Sequence, residues 1–410
     1  MIHEFIEERL RLAIAEVAKA DVGPVRVQPC ADARFGDYQT SALMALAKQQ
    51  RTNPRQLAME VAGRLEVGEW CHAVEVAGGG FLNFRVRPEA LTRVLQEARE
   101  GRHLFHRPAE EPRTVVVDFS SPNVAKPMHV GHIRSTILGD CLTRTLRRLG
   151  HRVIADNHIG DWGTQFGKLI VGWKRCLDAG ALASRPLEEM ERLYRQVNTL
   201  CEQDPGVLEA ARQELVKLQG GDQENRGIWE RMIQESRKEF DVVYARLGVR
   251  FDHTLGESFY NSQLGGVVRQ LVALGVARES EGAMVVFFED VPELRAHPAI
   301  VRKSDGAANY ATTDLATLDH RERTWHPDEI VYVTDGRQQL HFRQIFSIYR
   351  RWHPESRVRL AHVWFGSILG EDGKPFRTRS GETVRLADLL DEAEERALGV
   401  GREKNPDLAE

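Results

Sequence analysis

Cysteine is scarce in this chain and poorly spaced for chemistry. The 410 residues hold five, Cys30, Cys71, Cys141, Cys176 and Cys201, with no CxxC pair. That excludes a thiolate zinc site of the usual spacing and a disulfide scaffold, and fits reduced thiols in a cytoplasm. Long apolar runs are missing too, and the opening residues do not read as a signal peptide, so a soluble, cytoplasmic protein with no membrane partner is expected. Charge of one sign is not in excess: the net charge is −4. A nucleic-acid partner would have to be held by local Lys/Arg patches and not by a global basic field. The common phosphate loops are absent as well. Neither GxGxxG nor GxxxxGK[ST] occurs, and the nearest approach, Gly163-Thr-Gln-Phe-Gly167-Lys168-Leu169, is one residue short and lacks the hydroxyl.

What is present centres on Asp118-Phe-Ser-Ser-Pro-Asn-Val-Ala-Lys-Pro-Met-His-Val-Gly-His132. The run Thr114 to Asp118 before it has the length and β-branching of a strand buried on both faces of a parallel sheet. Ile133, Ile137, Leu138, Cys141, Leu142, Thr145, Leu146 and Leu149 follow at helical spacing, with Gly150 as a C-terminal stop. Val153-Ile154-Ala155 then reads as a second strand, so strand, helix, strand predicts a right-handed βαβ unit. The polar stretch becomes the loop at the carboxyl end of the first strand, where open α/β sheets bind ligands. At the helix start stand His129 and His132 around Gly131, whose missing Cβ lets the backbone approach a ligand. Imidazole donors at a helix N-terminus suit negative charge growing on a phosphate. Two histidines three apart are also compatible with a solvated loop or half of a metal site. A zinc ion would need further ligands, for which His158 is the nearby candidate, and no metal ligands are assigned.

The stretch from Asp118 to Thr136, with Asn157-His-Ile-Gly-Asp-Trp-Gly-Thr-Gln-Phe-Gly167, resembles the signature region of arginyl-tRNA synthetases, whose His-Val-Gly-His serves ATP activation. The resemblance implies a Rossmann-like class I catalytic domain over residues 113–390, mainly helical over 172–250. It also implies a small α+β domain over 1–107 that touches the tRNA elbow, and the start of a helical C-terminal region over 391–410. Lys126, His129, Gly131 and His132 would serve ATP, with Lys126, His129 and His132 catalytic. The basic stretch Gly370 to Gly381 would close over the triphosphate through Lys374, Arg377 and Arg379. Lys-Met-Ser-Lys-Ser is absent there, as is common in this family, and Lys126 resembles the substitute cation. Arg377 stands where many relatives have Lys. L-Arginine would be held by Asp118, Ser121, Asn123, Glu257, Tyr310, Asp314 and Gln338; Asp118 is shorter than the Glu of many relatives. A guanidinium presents five donors in a plane, so carboxylates and amide oxygens are the partners it needs. ATP and Mg²⁺ are the implied cofactors, arginine tRNA the implied partner, and a monomer is expected.

Outside the signature, Ile2, Phe5, Ile6, Leu10, Ala13 and Val17 mark an opening helix, and a second helical stretch follows Asp37. Val25 to Val27 and Val74 to Val76 read as strands, and Pro88 to Arg99 as a closing helix. Phe35-Gly-Asp-Tyr-Gln39 and Gly80-Phe-Leu-Asn-Phe84 resemble the family's N-terminal domain, with Asn83 at the position of a D-loop contact. The link from Gly101 to Pro112 reads as a domain boundary. The helical insertion suits a charged amino acid, since hydrogen bonds to a polar side chain reject analogues by roughly 10⁴-fold without an editing domain. Segments around Val285, Val301, Ile330 to Val333 and His362 to Trp364 are expected to complete the main sheet. Tyr310 and Asp314 would share one helical face.

The family continues into an anticodon-binding domain beyond Asp391 to Leu398, a helix at the edge of this chain. Three functions stay open on sequence: an arginine–tRNA ligase, a truncated paralogue that activates arginine for another acceptor, and a non-catalytic tRNA-binding remnant.

Overall fold

Spacing of apolar residues at every third or fourth position closes the first unit of the chain. In the computed structural model, which describes residues 2–19, 23–102, 106–366 and 384–405, two compact units are Met1–Pro108 and Ala109–Glu410. Helix α1 (Ile2–Ala18) buries Ile2, Ile6, Leu10, Ala13 and Ile14. Strands β1 (Gln28–Pro29) and β2 (Tyr38–Thr40), helices α2 (Ala42–Gln50) and α3 (Pro54–Arg64), strands β3 (Cys71–Ala77) and β4 (Phe81–Val86), and helix α4 (Pro88–Arg99) follow. The antiparallel sheet runs β1-β2-β4-β3. Asn53 caps α3 by accepting from the N–H groups of Arg55 and Gln56, and Pro54 opens the helix. The strand expected at Val25 to Val27 is displaced to Gln28–Pro29. Side chains take the hydrogen bonds a ladder would have used: Val27 N–H donates to Glu7 and the Arg26 carbonyl accepts from Thr40. The helical stretch expected directly after Asp37 starts only at Ala42, because Tyr38–Thr40 is a strand paired with β4.

In the second unit the valines of β5 (Thr114–Phe119) lie in a four-stranded parallel sheet. It is completed by β6 (Arg152–Asp156) and, much later in the chain, by two strands introduced below. Helix α5 (Val130–Arg148) joins β5 to β6. Helices α6 (Gln165–Cys176), α7 (Ala179–Ser184), α8 (Pro186–Gln203), α9 (Pro205–Gln219), α10 (Gln223–Leu247) and α11 (Asn261–Ala273) come next. Short strands β7 (Arg278–Ser280), β8 (Ala283–Val286) and β9 (Ala299–Arg302) precede α12 (Tyr310–Trp325), β10 (Glu329–Asp335), α13 (Gln339–Trp352), β11 (Arg359–Phe365) and α14 (Leu386–Lys404). The parallel order is β11-β10-β5-β6. Period-2 alternation feeds two cores. Val115, Val117, Phe119, Val153 and Val333 face α6, α10 and α14, whereas Val116, Ile154, Ile330 and Tyr332 face α11, α12 and α13. The chain winds outward from β5 in one direction and from β10 in the other, so the switch point lies between these two strands, where a ligand crevice belongs.

Two expectations fail here. Val285 and Val301 are not in the main sheet but in a separate three-stranded antiparallel one, β7-β8-β9. No helix lies between Val286 and Ala299, and parallel neighbours need such a crossover. The buried side of α5 is also not the apolar stripe: Ile137 and Leu138 are exposed, and Ser135, Thr136, Gly139 and Thr143 are buried. Small residues let this helix lie close to the strand. A Cβ on Gly139 would stand 2.3 Å from the Phe119 Cβ.

Candidate active site

The loop after β5 is bent by non-glycine residues in the left-handed region: Ser120 at φ 76°, Ser121 at 50° and Ala125 at 62°. Each costs on the order of 1 kcal/mol and must be held by its surroundings. The Ser120 N–H donates to Ser135 Oγ at 2.9 Å, the Ser121 N–H to Asn157 Oδ1 at 3.1 Å and the Ala125 N–H to Ser236 Oγ at 2.9 Å. The hydroxyls of Ser120 and Tyr244 lie 2.8 Å apart. The polar face of α5 therefore serves the loop as well as the sheet.

His129 caps α5. Its Nδ1 accepts from the Gly131 N–H at 3.1 Å, and His132 Nδ1 accepts from the His129 N–H at 3.0 Å. With both Nδ1 atoms accepting, the ring protons sit on Nε2. Burial, chiefly, lowers both imidazoles, His132 to about 3 with His129 beside it. The pair is thus two neutral N–H donors at the positive end of a helix. Their ring centroids are 3.9 Å apart.

A cavity of about 380 Å³ opens at the switch point, lined by Asp118, Ser121, Asn123, Glu257, Tyr310, Asp314 and Gln338 together with His158, Tyr332, Thr334, His341 and Phe342. Seven side chains expected from scattered segments thus meet around one space. Glu257 is placed by Asp161, whose carboxylate accepts from the Ser258 N–H at 2.8 Å and its hydroxyl at 2.7 Å. A Cβ on Gly256 would lie 2.2 Å from that carboxylate. Burial, then the charges of Asp314 and Asp161, push the Glu257 carboxyl up to about 8. Asp314 follows Tyr310 by one turn of α12, and its Oδ2 meets His341 Nε2 at 2.6 Å. Burial pulls His341 down, but the hydrogen bond to Asp314 and its charge outweigh that, and the imidazole ends above its ordinary value. Asp118 is nearly enclosed: Oδ2 accepts from Arg321 at 2.6 Å and Oδ1 from the Ser121 hydroxyl at 3.1 Å. Asn123 stands against Gly160, where a Cβ would come within 2.3 Å of its Oδ1.

Two family models cover this architecture. Class I (R) tRNA synthetases, catalytic domain, matches residues 92–410, and the arginyl tRNA synthetase N-terminal domain matches residues 4–86. The chain belongs to the arginyl-tRNA synthetase family. Relatives include the arginine–tRNA ligase of Thermosynechococcus vestitus, 44% identical over 99% of this chain and 72% of its own length. That of Shigella sonnei is 44% identical over 99% of this chain and 71% of its own. The arginyl-tRNA synthetase of Plasmodium falciparum superposes with a TM-score of 0.71 at 25% identity, covering 98% of this chain and 70% of that one.

In this synthetase fold a second, larger cleft of about 1100 Å³ shares Asn123 with the first cavity and is walled by Lys126, His129, Tyr194 and Arg385. Lys126 Nζ lies 4.9 Å from the centre of the Tyr194 ring, so the helical insertion touches the signature loop. His132 lines neither space and stands behind His129. Lys374, Arg377 and Arg379 lie outside the described residues. The chain on either side of them is tied to the start of α5: Arg134 donates to the Gly366 carbonyl, and the Val130 N–H to Val384 O at 2.9 Å. Asn83 sits in β4 opposite Gln39 of β2, buried, with its Oδ1 unpaired among the described residues. Among the described residues no group of three His, Cys, Asp or Glu side chains could hold a metal, and no helix is long and apolar enough to cross a membrane.

Sequence reasoning missed Arg321, His341, Tyr332 and Thr334, and weighed His158 only as a metal ligand, whereas it lines the small cavity. Position offered a weak signal for two of them. Arg321 follows Asp314 by about two helical turns and His341 follows Gln338 by about one, which puts each on the face of a residue already singled out.

Proposed function

We propose that this chain is an arginine–tRNA ligase, an aminoacyl-tRNA ligase that activates L-arginine with ATP and passes the arginyl group to the terminal adenosine of arginine tRNA. One juxtaposition carries the reading: a cavity walled by Glu257, Asp314 and Asp118 meets, at Asn123, the cleft that holds Lys126 and His129. An arginine with its guanidinium between Glu257 and Asp314 presents its carboxylate at that junction. There a carboxylate oxygen attacks the α-phosphorus of ATP and the bond to pyrophosphate breaks. In the second step a ribose hydroxyl of the tRNA attacks the arginyl carbonyl, and AMP leaves with the bonding electrons.

Little covalent work falls to the protein. Positioning and electrostatic stabilisation supply the rate. The Nε2–H group of His129 and the Lys126 ammonium would meet charge developing on the phosphates, with His132 holding His129 from behind and Lys374, Arg377 and Arg379 on the leaving pyrophosphate. Mg²⁺ would arrive on the triphosphate, which fits an ion that keeps most of its water; Glu188, Glu189 and Glu191 in the cleft are already paired with arginines. Asn83 is proposed to contribute to the tRNA elbow contact, and the working unit to be one chain in the cytoplasm. The test is transfer of radiolabelled arginine to arginine tRNA in the presence of ATP and Mg²⁺. Label in a base-labile ester at the tRNA 3′ end supports the reading; its absence, with the chain folded, refutes it.

A further inference from the structure

Behind the wall of the small cavity lies a cation that none of these roles uses. Arg321 is fully buried. Its Nη2 donates to Asp118 Oδ2 at 2.6 Å and to Asp156 Oδ2 at 2.8 Å, and its Nε to Asp156 Oδ2 at 3.1 Å. The guanidinium carbon lies 5.3 Å from the centre of the Tyr332 ring. Asp118 is the register partner of Tyr332 on one side and of Asp156 on the other, so one side chain ties together the carboxyl ends of β10, β5 and β6. It does so from α12, the helix that also carries Tyr310 and Asp314 into the cavity.

A pin between helix and sheet does not need to be charged. A buried ion pair can often be replaced by well-packed apolar residues without loss of stability. What an apolar pin cannot do is fix the direction of the Asp118 carboxylate, which Arg321 holds through a charge-assisted hydrogen bond at 2.6 Å. It also cannot keep Asp118 and Asp156 from capturing a ligand's guanidinium in the wrong place.

We propose that Arg321 is a positioning residue for amino-acid selection. It holds the Asp118 carboxylate oriented at the cavity wall, sets the depth of α12 so that Tyr310 and Asp314 reach the same ligand, and occupies the two inner carboxylates so that Glu257 and Asp314 receive the substrate guanidinium. The inference rests on the reading of the cavity as the arginine site.

Both are tested by arginine-dependent ATP/pyrophosphate exchange with arginine tRNA present, on the wild type, Arg321→Lys and Asp156→Asn, with melting temperatures alongside. A folded wild type without arginine-dependent exchange overturns the cavity reading and the inference with it. With an active wild type, Arg321→Lys should raise KM for arginine about tenfold or more while KM for ATP stays within about twofold, because an ammonium keeps the charge but loses the planar fork. Asp156→Asn keeps the shape and leaves one anion for one cation, so it should fold even if the lysine variant does not; KM for arginine should rise by about threefold or more as Arg321 recentres on Asp118. A lowered melting temperature with KM for arginine within about twofold of wild type in the folded variants would show a merely structural pin and overturn the inference.

Discussion

The two spaces that meet at Asn123 are built on opposite electrostatic plans. In the small cavity the charges are acids, each held by another group: Asp118 by Arg321, Asp314 by His341, and Glu257 through the loop that Asp161 clamps. On the proposed reading the larger cleft meets the nucleotide with the neutral His129 imidazole and a lysine whose described contact is an aromatic ring. On the same reading, selection among amino acids rests on acids held in place, which cannot relax to suit a wrong side chain, and phosphoryl chemistry on donors aimed at the developing charge. The difference predicts that changes in the cavity alter KM for arginine, while changes in the cleft alter kcat or KM for ATP and leave KM for arginine nearly constant.

The sharpest break of that division is at His132. His132→Ala removes the acceptor that holds the His129 N–H and should lower kcat for exchange by roughly 10²-fold, as if the His129 donor to a transition-state oxyanion were lost, with KM for arginine nearly constant; steady-state exchange kinetics separate the two. Its imidazole, lowered to about 3, should not appear in the pH–rate profile above pH 5. A histidine whose folded pKa is depressed contributes stability above its ordinary value that is lost as pH falls. Wild type should therefore lose more stability between pH 7 and pH 5 than His132→Asn, as denaturant melts at the two pH values would report.

Asp314→Asn should have the next largest effect, a rise in KM for arginine of roughly 10²-fold with little change in KM for ATP, since a charge-assisted bond contributes about 1.5–3 kcal/mol. Glu257 sharpens the same side of the comparison through pH. Its folded pKa is raised to about 8, so its protonated form stabilises the free protein at low pH and that contribution is lost as pH rises through 8. On the proposed reading arginine binding needs the ionised form, so as pH rises toward 8 KM for arginine should fall by up to about tenfold per unit, and Glu257→Gln should flatten the slope. The smallest effect is expected at Tyr194: removing the ring from Lys126 in Tyr194→Leu should raise KM for ATP by about two- to fivefold, the worth of one cation–π contact.

Much of this fold was legible because local pattern and tertiary environment agree. Val115 to Val117 read as a doubly covered strand and are one, and Pro88 to Arg99 forms the helix its ends suggest. The pattern misled where a helix packs through its smallest residues. Ser135, Thr136, Gly139 and Thr143 give no apolar signal, yet they bring α5 against Phe119 and hold the strained loop. Val285 and Val301 look like strands of the main sheet, but only the connection between them decides which sheet they join. At the site, the residues that would touch ligand could be named from the family resemblance, on the loop after β5 and on α12 alike. Their supports could not. An arginine in the middle of a helix is ordinarily a surface charge, and only the pairing of three strands turns Arg321 into a buried one.

The most direct test of the central claim is ATP/pyrophosphate exchange by the whole chain with arginine tRNA, comparing L-arginine with citrulline, its uncharged isostere, and with lysine. A cavity that selects by fixed carboxylates around a planar cation predicts exchange with arginine, and activity lower by roughly 10³-fold or more with citrulline and with lysine. Comparable exchange with citrulline would contradict it, because the buried acids would then have no part in recognition.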